Sequence, residues 1–203
     1  MVKSFFEFWW PHGKTIAYKV APIGGDYNQT NQYFMTFEKG YDQPTVFRWD
    51  GPESLQMSDW SPDGRHITYT AEVISDASGE DRVSYAAMIS DITLEANVAT
   101  AENNTILSQN CTLGDRGPVF SPDGRKIAFW AWDTSYGATL WLSDLDTSQV
   151  RRLTTGGPDM YPQWSPDGGM LLFESGRSGN SDLMLLKVQW KFDSYRRTTG
   201  GWI

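Results

Sequence analysis

A chain of 203 residues with ten tryptophans and 14% aromatic side chains carries enough apolar bulk for one sizeable core or two small ones, which excludes a disordered segment. A formal charge of −8 and an isoelectric point near 4.7 argue against a nucleic-acid backbone as partner, because such a partner needs a surplus of Lys and Arg on one face. The lone Cys111 excludes an internal disulfide, and with two histidines it leaves a transition-metal site without its usual ligands.

The chain opens on MVKSFFEFWWPHG, with five aromatics around Glu7. The run is too short for a membrane span, which wants about 20 apolar residues, and it lacks the longer apolar stretch and small-residue cleavage site of a secretory leader. No membrane partner is expected. The expected location is periplasmic or extracellular if a leader has been removed, and cytoplasmic otherwise.

Four segments then share one frame: FWWPHGKTIAYK (8–19), DWSPDGRHITYT (59–70), VFSPDGRKIAFW (119–130) and QWSPDGGMLLFE (163–174). Their prolines stand at 11, 62, 122 and 166, so the period is one of small structural repeats with loops of unequal length. Ser-Pro-Asp-Gly suits a type I turn, with Pro presetting φ at the second corner and Gly at the fourth. A period-2 strand follows each turn, as where Ile127 and Phe129 alternate with Lys126 and Ala128. Further strands are expected at TLWLSDL (139–145) and VRRLT (150–154), then at DLMLLKV (182–188) and YRRTTGG (195–201). The reading is all-β, with four units over about 5–50, 55–113, 117–155 and 160–199 in a single domain spanning 1–203.

The motif WSPDG followed by Arg or Lys, an apolar strand, Asp-Leu-Asp and Arg-Arg-Leu-Thr resembles the TolB-type, WD-like β-propeller repeat over nearly the whole chain. Three units match closely, and the first departs from them with Trp10 for Ser and His12 for Asp. The resemblance implies blades of four antiparallel strands with the WSPDG strand innermost. It does not imply one activity, since the family includes periplasmic binding and scaffold proteins, gating domains of peptidases and some polysaccharide lyases.

Four blades are fewer than the six to eight with which such rings usually close. The expectation is a head-to-tail homodimer forming an eight-bladed ring, its junction built from Phe5, Phe6, Phe8, Trp9 and Trp10 of one chain and Trp202 and Ile203 of another. A self-closed four-blade ring and a segment of a longer chain are the alternatives.

The SPDG turns fall on one face of such a disc and the ligand-binding loops on the other. Those loops span 21–32, 72–82, 131–138 and 175–182, joined by the inter-blade connections 51–57, 114–118 and 156–162, and together they nominate Asp26, Tyr27, Asp76, Asp133, Tyr136, Tyr161, Arg177 and Asp182 as ligand or partner contacts. The repeated Asp63, Asp123 and Asp167 read as turn residues accepting local backbone hydrogen bonds. No Gly-x-Ser-x-Gly elbow is present, and His12 and His66 fall beside the turns, so a Ser-His-Asp arrangement lacks its base. No cofactor is expected; Ca²⁺ on Asp76, Glu80 and Asp81 is the one cation considered. The leading function is a non-catalytic scaffold for a protein or glycan. The alternative is a carbohydrate-active lyase or hydrolase using loop carboxylates and tyrosines.

Overall fold

Alternating apolar and polar residues on either side of tight turns build sixteen strands: β1 (Val2–Trp9), β2 (Thr15–Pro22), β3 (Asn31–Thr36), β4 (Thr45–Asp50), β5 (Ser54–Trp60), β6 (His66–Ser75), β7 (Arg82–Glu95), β8 (Val98–Ile106), β9 (Asp115–Phe120), β10 (Lys126–Asp133), β11 (Gly137–Asp144), β12 (Gln149–Arg152), β13 (Asp159–Trp164), β14 (Met170–Ser175), β15 (Asp182–Lys187) and β16 (Ser194–Arg197). The computed structural model describes residues 2–22, 31–52, 54–75, 82–107, 114–133, 135–188 and 194–197, with side chains described for 9–20, 31–52, 59–72, 85–107, 114–132 and 135–188. Among the described residues there is no helix, and so none long and apolar enough to cross a membrane.

The strands form four antiparallel meanders of four, each beginning on the strand that precedes the Pro-containing turn. The first strands of successive meanders lie side by side, β1 by β5, β5 by β9 and β9 by β13. The third and fourth meanders are separate sheets, β9 to β12 and β13 to β16.

The first two meanders are fused, which the repeat pattern does not announce. β4 pairs in parallel with β8 through Arg48↔Val98, Trp49↔Ala99 and Asp50↔Thr100, giving one eight-stranded sheet. The cause is the long hairpin of β7 and β8, which turns through Ala96 and Asn97 at φ 49° and 63°. Positive φ at both central residues matches the twist of a two-residue hairpin, and Asn tolerates it well. The hairpin carries the outer edge of the second meander onto the outer edge of the first.

The core lies between meanders. Ala17, Phe34, Trp49, Trp60 and Tyr69 join the first to the second; Ala87, Phe120, Ile127 and Phe129 join the second to the third; Ala128, Leu140, Leu171, Phe173 and Leu186 join the third to the fourth. β10 therefore buries both faces, Ile127 and Phe129 toward one neighbour and Ala128 and Trp130 toward the other. Each fully buried Phe, Leu or Ile contributes roughly 1.5–3 kcal/mol relative to exposure.

The turns stack in sequence as well. A Cβ on Gly124 would meet Pro62 at 3.4 Å, and one on Gly168 would meet Pro122 at 3.7 Å. At Gly64 the neighbour is Trp10, whose indole Nε1 would lie 1.9 Å from an added Cβ. Trp10, expected at a junction between chains, stacks on Trp60 of its own chain with ring centres 4.4 Å apart. The departure from Ser at this position thus gives the first turn a large plate to lay over the second. Of the other junction residues, Phe5, Phe6 and Phe8 lie in β1 with side chains outside the described set, and Trp202 and Ile203 lie outside the described residues.

Gly13 and Gly64 share φ +70°, but among the described residues nothing lies within 4 Å of a Cβ built on Gly13. Gly13→Ala is expected to cost about 1 kcal/mol, the left-handed penalty alone. Gly64→Ala adds a clash with a stacked indole and should cost roughly 2–4 kcal/mol. Urea unfolding of both variants checks this, and equal losses would refute the stacking argument.

Candidate functional site

The turn face is built from local hydrogen bonds. In the second turn the Ser61 hydroxyl donates to Asp63 at 2.6 Å and accepts from the His66 amide at 2.9 Å, while Asp63 also accepts from the Arg65 amide at 3.1 Å. Ser121 and Asp123 repeat the arrangement, as do Ser165 and Asp167. These bonds hold all three carboxyls below the usual range, the serine hydroxyl being the largest cause. Asp144 is lowered as well, first by the Thr147 amide, in the turn between β11 and β12. Carboxylates so engaged are charged turn residues rather than proton-transfer groups.

Asp59 behaves differently. Its two oxygens accept from the amides of Trp60 at 2.9 Å and Phe120 at 2.8 Å, so it ties β5 to β9. Burial outweighs those bonds and pushes its carboxyl up to about 6. It lines a cavity of about 280 Å³ with Trp60, Pro62, Gln163 and Trp164 at the turn end of the first strands. A larger cleft of about 590 Å³ opens between the third and fourth meanders on the same face, with Leu142, Trp164 and Val188 among Asp123, Lys126 and Asp144. The cleft faces away from the loops nominated from sequence.

On the opposite face the nominated residues fall into separate groups. Tyr136 is 43% exposed in the turn between β10 and β11, with the Arg152 guanidinium 4.6 Å above its ring. Tyr161 is 54% exposed and meets Trp130 edge to face at 5.9 Å. Arg177 is committed to an ion pair with Asp159, which is fully buried, through Nε at 3.2 Å and a second bond from Nη2. A Cβ on Gly157 would lie 2.3 Å from Arg177 Cγ, so the loop from β12 passes directly over that pair. Asp182 accepts a hydrogen bond from Ser178 at 2.5 Å. Asp133 ends β10 with its backbone paired to Gly137 and its side chain outside the described set. Asp26, Tyr27 and Asp76, with Glu80 and Asp81, lie outside the described residues.

Two residues on this face were not nominated. Trp132 is 45% exposed at the end of β10, and Arg116 lies against aromatic rings at the start of β9. The alternation of Trp130 and Trp132 about buried Ala131 could have flagged the first. Nothing local could have flagged the second, because its rings come from β7 and β10.

Four-stranded antiparallel meanders set side by side on their first strands define a propeller-type repeat fold as the class of protein. Residues 13–199 match the model of the TolB β-propeller domain, and the chain belongs to that family. It is 29% identical over 181 residues to the Tol-Pal system protein TolB of Francisella tularensis subsp. holarctica strain OSU18, covering 87% of this chain and 37% of that one. The chain thus spans little more than a third of the length of the curated relatives it matches. It resembles the solved structures of a putative TolB from Agrobacterium tumefaciens (TM-score 0.71, 20% identity, 98% of this chain and 63% of that one) and of TolB from Acinetobacter baumannii (0.67, 17%, 98% and 44%). At those identities the likeness is one of fold.

The raised carboxyl of Asp59 yields a signed prediction. A carboxyl with its folded value above its unfolded value of 3.8 favours the protonated native state, so its ionisation destabilises the fold as pH rises from about 4 to about 6. The full effect is on the order of 3 kcal/mol. Asp59→Asn should abolish that decline in unfolding free energy between pH 4 and pH 6; an unchanged pH profile would rule out this role.

Proposed function

We propose that the chain is a non-catalytic, TolB-like scaffold that binds a protein partner on the face opposite the SPDG turns. The observation that carries this reading is the display of Trp132, Tyr136 and Tyr161, 43–54% exposed, beside strands packed on both faces. Aromatic side chains on rigid elements supply the contact area that protein interfaces enrich, at little conformational cost. The repeated carboxylates are held in turns, and the relatives are TolB proteins, so the carbohydrate-active reading is not favoured. Those relatives are named for the Tol-Pal system, so the partner in this reading is its Pal component, and the compartment is the periplasmic one expected from the sequence if a leader has been removed.

Within this reading the four meanders are four blades of one domain, and the ring is completed by a second copy. Support comes from the outward faces of the first and last meanders. Met170, Leu172 and Leu183 stand 36–47% exposed on the side of the fourth meander away from its core. Ile16, Tyr18, Tyr33 and Met35 occupy the matching outer side of the first, with Tyr18 and Tyr33 stacked at 5.7 Å. Gly13, with open space beside it, is the surface on which the Pro166 turn of another copy would lie.

Calorimetric titration with the cognate Pal tests the partner. Trp132→Ala and Tyr161→Ala should each weaken binding at least about tenfold, or roughly 1.4 kcal/mol. Absence of binding by the unmutated chain would remove the reading. Sedimentation equilibrium tests the ring: a mass of twice 23.0 kDa, about 46 kDa, is expected, and Leu172→Glu should return it to 23.0 kDa. An unmutated chain that sediments at the single-chain mass would overturn the dimer.

A further inference from the structure

Three meanders contribute to one row of side chains on the loop face. The row starts where Gly114, at φ +105°, presses against Tyr85: an added Cβ would lie 3.0 Å from Tyr85 Cβ and 3.2 Å from its amide nitrogen. That approach brings the start of β9 over the tyrosine. Arg116 follows with its guanidinium carbon 4.3 Å from the centre of the Tyr85 ring and 5.9 Å from that of Trp130, its cross-strand partner on β10. Tyr161 closes the row against Trp130.

Three observations point to a missing ligand. Arg116 is half-buried, yet among the described residues no carboxylate reaches it and its N–H groups have no hydrogen-bond partner. The other arginines with named partners show the contrast, Arg177 with Asp159 and Arg125 with Asp146. Beside it, the buried indole N–H of Trp130 also lacks an acceptor among the described residues. Finally, Tyr161 has φ +55° at the bulge where the third meander has Gly117 at φ +56°. A side chain in that left-handed position costs roughly 1–2 kcal/mol, and strain of this kind clusters at binding sites.

The chemistry of the site is specific. Tyr85 and Trp130 lie against the guanidinium and Tyr161 abuts the indole, so the aromatic rings nearest the fork are already engaged by it. The unbonded edge is the planar N–H fork of an arginine, which matches a carboxylate with two parallel hydrogen bonds. Stacking on the rings holds that fork flat and partly dehydrated, which strengthens such bonds.

We propose that Arg116 anchors a carboxylate of an acidic peptide segment, with Tyr85 and Trp130 orienting the guanidinium and Tyr161 walling one side. The proposal rests on the loop face being the binding face but not on which protein docks there.

The Arg Nε–H resonances of the nitrogen-15-labelled chain supply the test, with a capped hexaglutamate peptide, hexaglutamine and digalacturonate as probes. Hexaglutamate should shift the Arg116 resonance saturably, at concentrations about tenfold below those that move the exposed Arg65 and Arg125. Hexaglutamine should not shift it. Arg116→Lys keeps the charge but loses the fork, and should weaken hexaglutamate binding about tenfold; Arg116→Gln should abolish it. No selective movement of Arg116, or wild-type binding by Arg116→Gln, overturns the site. Tighter binding of digalacturonate than of hexaglutamate overturns its assignment to a peptide. Because these probes are independent of Pal, failure here and failure of the Pal titration are separate results.

Discussion

A four-stranded sheet that is apolar on both faces cannot stand alone in water, and the rest of this structure follows from that constraint. β10 and β11 send Ile127, Phe129 and Trp141 toward the second meander and Ala128, Leu140 and Leu142 toward the fourth. Each meander must therefore be sandwiched between two others, and the packing runs from sheet to sheet. The same constraint makes the outer faces of the first and fourth meanders the least satisfied part of the molecule. Their residual apolar surface is what a further blade would cover.

The polar network of the SPDG turns reinforces that packing at one end of the first strands. The serine hydroxyl, the aspartate and two following amides close each turn without outside help, and the proline of one turn rests on the glycine of the next. In the first repeat Trp10 and His12 forgo the serine-aspartate pair, while the Trp10–Thr15 and Gly13–Trp10 backbone bonds remain at 2.7 and 2.8 Å. The turn thus survives on its backbone alone, and the indole supplies contact with the next turn instead. Asp59 adds a carboxylate that bridges β5 and β9, at an electrostatic cost its two amide donors do not fully offset.

The face proposed for binding is the other one, whose side chains are not consumed by the turns. The aromatic residues there emerge from strands packed on both sides, so their positions are fixed before any partner arrives, and binding costs less ordering than a flexible loop would impose. Arg116 departs from an ordinary solvated surface, since stacking holds its charge in place without a counter-charge among the described residues of a chain of net charge −8.

The all-β class, the fourfold repeat and the closed turns were legible in the residues, because each rests on interactions within a few positions: a proline that presets φ, a glycine at φ +70°, a hydroxyl bonded to an amide five residues on. The nominated tyrosines could be assigned to a loop, but not Tyr136 to the Arg152 stack or Tyr161 to Trp130. Arg177 looked like a loop cation free to bind, and only burial of Asp159 beneath it revealed an ion pair. The parallel joining of β4 to β8 and the stacking of Trp10 on Trp60 unite residues 50 positions apart, and the row from Tyr85 to Tyr161 is joined at each end by a contact between residues 31 positions apart. Local sequence determines strands and turns because their hydrogen bonds close locally; which sheet edges meet and which rings surround an arginine is decided by packing between repeats, and that exists only in the folded molecule.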